Sequence, residues 1–201
     1  RHAAMKSKEI LAGLEITQGE HMNRKQKGFS LIELLIVVAI ILIIAAIAIP
    51  NLLRSKMAAN EASAVGSLRT ILTANVTFNS TYGVGFAKDL VTLGGPAGPT
   101  ATCGNSMLID PVLSAAVTAG TAKSGYFFTY TGGTAFTGTL PAGCAAGWQT
   151  FDVGAQPAVP GTTGQRTFCI DQTGVIMDDP SGTIKAAGGV SCSTDGYPNS
   201  L

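Results

Sequence analysis

The stretch LIELLIVVAIILIIAAIAI, residues Leu31–Ile49, contains a single polar residue, Glu33. As an α-helix its nineteen residues would span about 28 Å, close to the roughly 30 Å hydrocarbon core of a lipid bilayer. The stretch therefore predicts a membrane-spanning helix, in which Glu33 needs an explanation because a charged side chain is costly inside a bilayer.

A basic segment precedes this helix. Arg24, Lys25 and Lys27 come just before it, and no acidic residue lies between His21 and Phe29. Because basic flanks remain on the cytoplasmic side, we expect the residues after the helix to lie outside the cytoplasm.

Three interpretations of the apolar stretch compete. An ordinary signal peptide would use Ala46-Ile47-Ala48 as its cleavage site, but its apolar region would be shorter and would lack an acidic residue near its start. In a plain membrane anchor, Glu33 would only cost free energy. In the third interpretation Glu33 is itself functional.

The residues that open the stretch form an ordered pattern. Lys27 ends a basic leader, Gly28-Phe29-Ser30-Leu31-Ile32-Glu33 follows, and the apolar run ends near Pro50. This pattern resembles the N-terminal signal of type IV pilins and pseudopilins. The resemblance covers residues 24–82, and beyond them it is one of layout only.

The resemblance implies a processing step and an assembly step. A prepilin peptidase would cut between Gly28 and Phe29 and N-methylate Phe29. Glu33, one helical turn away, would receive the N-terminal ammonium of a neighbouring copy and set the register between subunits. The implied partners are copies of the chain in a helical filament, the peptidase, the membrane, and the inner-membrane assembly platform and ATPase. The single-pass subunit would leave the bacterial inner membrane for an extracellular pilus.

Residues 1–28 are expected to be the leader peptide. Arg1 is not an initiator, and Met22 would open a short leader, MNRKQKG, so we expect translation to start at Met22. Without residues 1–28, Lys+Arg fall from 13 to 7 and Asp+Glu from 12 to 9, so the formal charge changes from +1 to −2. Both histidines are also removed, which excludes histidine-dependent catalysis and zinc binding within the mature chain.

The remaining sequence predicts an α+β fold of pilin type, in which a long N-terminal helix packs on a small antiparallel sheet. Residues 29–50 would form the transmembrane and assembly half of the helix, and residues 51–82 its amphipathic half. Pro50 should kink the helix, since it cannot donate the i→i−4 hydrogen bond. The expected buried stripe is Ala58, Ala62, Val65, Leu68, Leu72 and Val76, with Arg54, Lys56, Glu61 and Arg69 outside it.

Residues 83–201 predict an exported β-rich head. The segments YFFTYT, WQTFDV and RTFCID, which begin at Tyr126, Trp148 and Arg166, alternate apolar and polar residues. A hairpin turn is expected near Asp171–Gly174. We expect three or four antiparallel strands packed on the amphipathic helix. We also expect a short helix within 107–117, weakened by Pro111. Loops are expected at 83–106, 132–147 and 154–164.

Four cysteines, Cys103, Cys144, Cys169 and Cys192, follow the apolar helix. An even number in an oxidising compartment predicts disulfides, and four cysteines allow three pairings. The lack of a C-x-x-C motif argues against a zinc-ribbon or thioredoxin-type site. Many pilins clamp their C-terminal loop with a disulfide, and the resemblance favours Cys169–Cys192 together with Cys103–Cys144.

Other candidate chemistry is limited. Asp171, Asp178, Asp179 and Asp195 lie near the end of the chain, and the first three are weak candidates for calcium, which major pseudopilins bind in a C-terminal loop. Their spacing matches no EF-hand, and turn aspartates explain them more simply. No phosphate-binding glycine loop or catalytic carboxylate pair stands out. The nearly balanced charge does not fit a nucleic-acid binder, so we expect no cofactor, no specific nucleic acid and no enzyme activity.

The leading prediction is a structural subunit of a type IV pilus, used in surface adhesion, motility or DNA uptake. The nearest alternative is a pseudopilin of a type II protein secretion system. A minor pilin that primes assembly is a further one. A membrane-anchored, disulfide-bonded exported domain would keep the apolar span without needing Gly28-Phe29 or Glu33.

Overall fold

The computed structural model describes residues 28–95, 98, 100–183, 188 and 191–201. The expected leader up to Lys27, with the expected start at Met22, lies outside the described residues. The elements, in chain order, are α1 (Leu31–Tyr82), α2 (Leu90–Leu93), α3 (Pro111–Ala115), a 3₁₀ turn (Ala119–Thr121), β1 (Tyr126–Gly132), β2 (Phe151–Pro157), β3 (Thr167–Asp171), β4 (Ile176–Asp179) and β5 (Asn199–Ser200).

Helix α1 contains 52 residues and ends at Tyr82. The next residue, Gly83, has a φ of 64° and its amide donates to the Asn79 carbonyl at 2.9 Å. Glycine adopts this left-handed conformation without a Cβ clash and so ends helices well. The chain divides into two compact units, the first ending at Ile44 and the second running from Ala45 to Leu201.

The five strands form one antiparallel sheet in the order β1-β2-β3-β4-β5. Each strand pairs with its neighbour in sequence, so the sheet is a meander. The β3–β4 hairpin turns at Gly174, whose amide donates to the Asp171 carbonyl at 3.0 Å. A long apolar helix with an antiparallel sheet confirms the predicted α+β class, although the sheet has five strands rather than three or four.

The core of the second unit lies between α1 and one face of this sheet. Alternate strand residues point toward the helix, because successive side chains of a strand face opposite sides. Six large, fully buried strand residues share one cluster with Leu68, Ile71 and Phe78 of α1: Tyr126, Phe128, Phe151, Val153, Phe168 and Ile170. The strand faces predicted from the alternation of apolar residues are therefore the ones that pack with α1.

The buried face of α1 differs from the predicted stripe. Ala58, Ala62 and Val76 are exposed, whereas Glu61, predicted to lie outside the stripe, is buried. The buried residues of the helix are Glu61, Ala64, Ser67, Leu68, Ile71, Ala74, Asn75 and Phe78. The prediction was wrong for these residues but is confirmed for Leu68, which is buried, and for Val65 and Leu72, which pack against the core.

A short helix and a longer strand also correct the prediction, whereas a second short helix confirms it. Helix α2 lies within the segment 83–106 that was expected to be a loop. Helix α3 confirms the short helix expected within 107–117. It begins at Pro111 and is not weakened by it, since the first helical turn does not need the backbone N–H that proline lacks. Strand β2 continues to Pro157, into the expected loop 154–164.

Candidate functional site

Gly28, Phe29 and Ser30 form an exposed, non-helical segment before α1. A Cβ added to Gly28 would meet no atom within 4 Å, and the Phe29 side chain is 74% exposed. Exposed irregular backbone is where peptide bonds are most easily cut. The Gly28–Phe29 bond is therefore accessible to an enzyme.

Glu33 lies in the first turn of α1 and is exposed. The first amides of a helix have no intrahelical partner and its N-terminus carries a partial positive charge, so this position stabilises a carboxylate. The Leu34 amide donates to the Ser30 carbonyl at 3.1 Å. No cation among residues 28–95 or the later described segments forms an ion pair with Glu33.

The apolar run of α1 is not covered by any other part of the chain that the structure describes. Within the described part of the chain, α1 is the one helix long and apolar enough to cross a membrane, by length and composition. Its residues from Leu31 to Leu53 are exposed, apart from the half-buried Ala45. An apolar surface of this extent is typical of contact with lipid or with another protein.

Pro50 lies inside α1, and the residues on both sides of it are helical. Its ring nitrogen has no hydrogen to donate to the carbonyl of Ala46. The kink expected at Pro50 stays a prediction.

The second half of α1 is bound to the loop between β2 and β3. We call the contact residues, Asn60, Glu61, Thr163, Gln165 and Arg166, the head base. The Asn60 side chain donates to the Thr163 carbonyl at 2.7 Å. Glu61 Oε1 accepts from the amides of Gln165 (3.0 Å) and Arg166 (3.2 Å). Glu61 Oε2 lies 2.9 Å from both Nε and a terminal nitrogen of Arg166.

This arrangement holds Glu61 ionised although its side chain is buried. Burial alone would raise the pKa of Glu61, but the amides of Gln165 and Arg166 and the Arg166 guanidinium together lower it below 4.5. Arg166 also lies 3.6 Å from Asp178 Oδ2, and its guanidinium is 5.3 Å from the centre of the Phe168 ring. Sequence reasoning missed the head base, because its two halves are about a hundred residues apart and neither carries a motif.

The four cysteines form two disulfides in the head. Cys103 is bonded to Cys144 and Cys169 to Cys192, with Cα–Cα distances of 5.5 and 5.7 Å. Cys169 and Cys192 are fully buried beside Tyr197, on the sheet face opposite α1. The second disulfide therefore fixes the C-terminal segment over this face.

The three aspartates considered as calcium ligands, Asp171, Asp178 and Asp179, are buried and bind protein groups. Asp178 faces Arg166, and Asp179 accepts from the Ser181 amide at 2.9 Å. No group of three His, Cys, Asp or Glu residues that could hold a metal ion occurs in the part of the chain that the structure describes. Asp171 and Asp179 stabilise turns, and Asp171 also binds the C-terminal segment.

Replacing Asp171 by asparagine should lower the free energy of unfolding by about 1–3 kcal/mol. Asp171 Oδ1 accepts from the Thr173 amide (2.8 Å) and Oδ2 from the Cys192 amide (3.0 Å). Asparagine has one carbonyl oxygen, so its NH₂ group must face one of these donors. Urea unfolding of the detergent-solubilised chain, followed by the fluorescence of its one tryptophan, Trp148, measures the effect.

Asp89→Asn is the matched control. Asp89 caps α2 through one oxygen, which accepts from the amide and the hydroxyl of Thr92. Asparagine caps helices about as well as aspartate does, so this change should cost less than about 0.5 kcal/mol. A loss at Asp171 no larger than that at Asp89 would contradict the prediction.

Comparisons with known proteins find a family match in the N-terminal segment. The family model of the prokaryotic N-terminal methylation motif matches residues 23–49. The type IV major pilin protein PilA of Myxococcus xanthus is 47% identical over 58 residues, which are 29% of this chain and 26% of the relative. The type IV wide pilus major component PilA4 of Thermus thermophilus is 63% identical over 38 residues, 19% of this chain and 29% of the relative.

Each of these matches covers less than a third of the chain. The chain spans between 26% and 29% of the length of these two curated relatives. No solved structure matches the chain. The methylation motif includes Gly28, Phe29 and Glu33 and the exposed apolar run that follows them. By this N-terminal segment the chain is similar to type IV pilins.

Proposed function

We propose that the chain is a structural subunit of a type IV pilus filament. The observation that carries the proposal is the accessible Gly28–Phe29 bond directly before an exposed apolar helix with Glu33 in its first turn. The matched relatives support it, since their names describe a major pilin and a major component of a wide pilus. The role is structural and requires neither a catalytic residue nor a cofactor.

Processing by a prepilin peptidase would prepare the helix for assembly. Cleavage between Gly28 and Phe29 removes the basic leader and keeps the apolar run, and methylation then modifies the amine of Phe29. Residues 29–50 would hold the subunit in the inner membrane, with residues 83–201 outside the cytoplasm. Residues 51–82 would connect the two parts, and an assembly platform with its ATPase would move the subunit into the filament.

Glu33 would select the register between subunits. A carboxylate and an ammonium are each costly in a low-dielectric environment, and they attract one another strongly there. Among neighbouring apolar helices, the arrangement that pairs Glu33 with the amine of another copy's Phe29 avoids both unpaired charges. The exposed position of Glu33 at the start of α1 supports this role.

The intact mass of the membrane-extracted chain tests the proposal. We expect a chain that begins at N-methylated Phe29, and Gly28→Val should block cleavage because a branched side chain would crowd the scissile bond. A chain that begins at Ile49, or one that retains Lys27, would contradict the proposal. Purified surface filaments composed mainly of this chain are expected for a pilus subunit, whereas their absence would favour a pseudopilin.

A further inference from the structure

A short exposed stretch of α1 separates its apolar run from the head. The last large apolar residue before this stretch is Leu53, three positions past Pro50, and the first hydrogen bond to the head comes from Asn60. Residues 54–59 lie between them and are exposed, apart from the half-buried Met57. At about 1.5 Å per residue, these six residues rise about 9 Å along the helix axis.

This stretch carries positive charge that no acidic residue balances. Arg54 and Lys56 are exposed and form no ion pair within the described ranges. The nearest acidic residue along the helix, Glu61, is buried and bound to Arg166. The next exposed acidic residue in the sequence is Asp89. Residues 54–59 therefore present two uncompensated cations beside the apolar run.

The size and charge of this stretch fit the polar layer of a membrane. The headgroup region adds about 5–8 Å on each side of the hydrocarbon core. Arginine and lysine side chains at the end of a span extend into this layer and interact with anionic lipids. We propose that residues 54–59 cross the outer headgroup layer, with Arg54 and Lys56 bound to the phosphates of anionic phospholipids.

This inference rests on the membrane-anchored stage of the proposed function and adds a partner to it. The contacts would set the depth of the subunit in the bilayer and would place the head base just outside the headgroups. They would be given up when the subunit enters a filament.

Solid-state NMR on the full mature chain in vesicles tests the inference. Lipid phosphorus dephases the signal of an arginine guanidinium carbon only when the two nuclei are close together. The variants Arg54→Lys and Arg69→Lys show which signal belongs to which arginine. Arg69 is the matched control, because it is also exposed and without an ion pair among the described residues, but lies fifteen positions further along α1. With phosphatidylglycerol present, we expect the Arg54 signal to be dephased and the Arg69 signal to be unaffected.

The outcomes separate this inference from the proposed function. Equal dephasing at Arg54 and Arg69, or none at Arg54 in a chain that spans the vesicle membrane, would overturn the inference. An equally strong Arg54 signal in phosphatidylcholine alone would overturn the preference for anionic lipid. A chain that does not insert into the vesicles contradicts the membrane-anchored stage itself.

Discussion

Cells that carry Glu33→Ala are expected to assemble at least about tenfold fewer surface filaments than cells with the unchanged chain. Removing one member of a buried ion pair leaves the other charge uncompensated and costs about 3–5 kcal/mol. Each 1.4 kcal/mol corresponds to about a tenfold change in an equilibrium constant. The ammonium of Phe29 would be left unpaired at every subunit contact, so the change should act on assembly rather than on the fold of the head.

Two controls separate assembly from processing. The mass of the Glu33→Ala subunit in the membrane should still show a chain that begins at Phe29. Glu33→Asp retains the charge on a shorter side chain and should restore more filament than Glu33→Gln, which keeps the shape without the charge. Filaments counted by electron microscopy at the unchanged abundance in Glu33→Ala cells would rule out a registering role.

Glu61→Ala should lower the free energy of unfolding of the chain by about 2–4 kcal/mol. The substitution leaves the amides of Gln165 and Arg166 without their acceptor, and it removes the closest partner of the Arg166 guanidinium. An unsatisfied buried donor costs more than a hydrogen bond contributes. Urea unfolding monitored by Trp148, whose indole donates to the Lys88 carbonyl at 3.0 Å, measures the loss.

The controls for this prediction compare buried with exposed charge. Glu61→Gln keeps an acceptor for the amides and should lose less than Glu61→Ala. Lys123→Gln removes a solvent-accessible ion pair, in which Lys123 Nζ lies 3.0 Å from Asp110 Oδ2. This change should lower the free energy of unfolding by less than about 1 kcal/mol. Equal losses in Glu61→Ala and Lys123→Gln would show that the head base does not stabilise the fold.

The stabilisation by Glu61 is expected to depend on pH. Because the pKa of Glu61 is lower in the folded chain than its ordinary value of 4.5, its stabilising contribution is complete above that value. It declines as the pH falls through the folded-state pKa. Glu61→Gln lacks this contribution, so the stability difference between the unchanged chain and the variant should shrink at acidic pH. A difference that stays constant from neutral to acidic pH would contradict the assignment.

The features that sequence analysis predicted well depend on neighbours along the chain. The membrane-length helix follows from one apolar run, and the faces of β1 and β3 follow from alternation around Phe128 and Phe168. The hairpin at Gly174 follows from a glycine between two strand patterns. Each of these patterns is complete within a few residues, so the sequence shows it directly.

The features that it missed depend on partners far away in the sequence. Glu61 was predicted to lie outside the buried stripe because a charged side chain is rarely buried unless it is paired. Its pairing with Arg166 becomes visible only when the β2–β3 loop meets α1. The short strand β5 likewise forms because it pairs with β4, and its own two residues carry no strand pattern.

The head base also has a consequence for the order of events during synthesis. Glu61 and its partner Arg166 are separated by 105 positions in the chain. At a translation rate of about 5–20 residues per second, Arg166 is made roughly 5–20 s after Glu61. During that interval α1 has no completed sheet to cover its buried face. The nascent chain therefore has a period in which this face of α1 is open to chaperones and proteases.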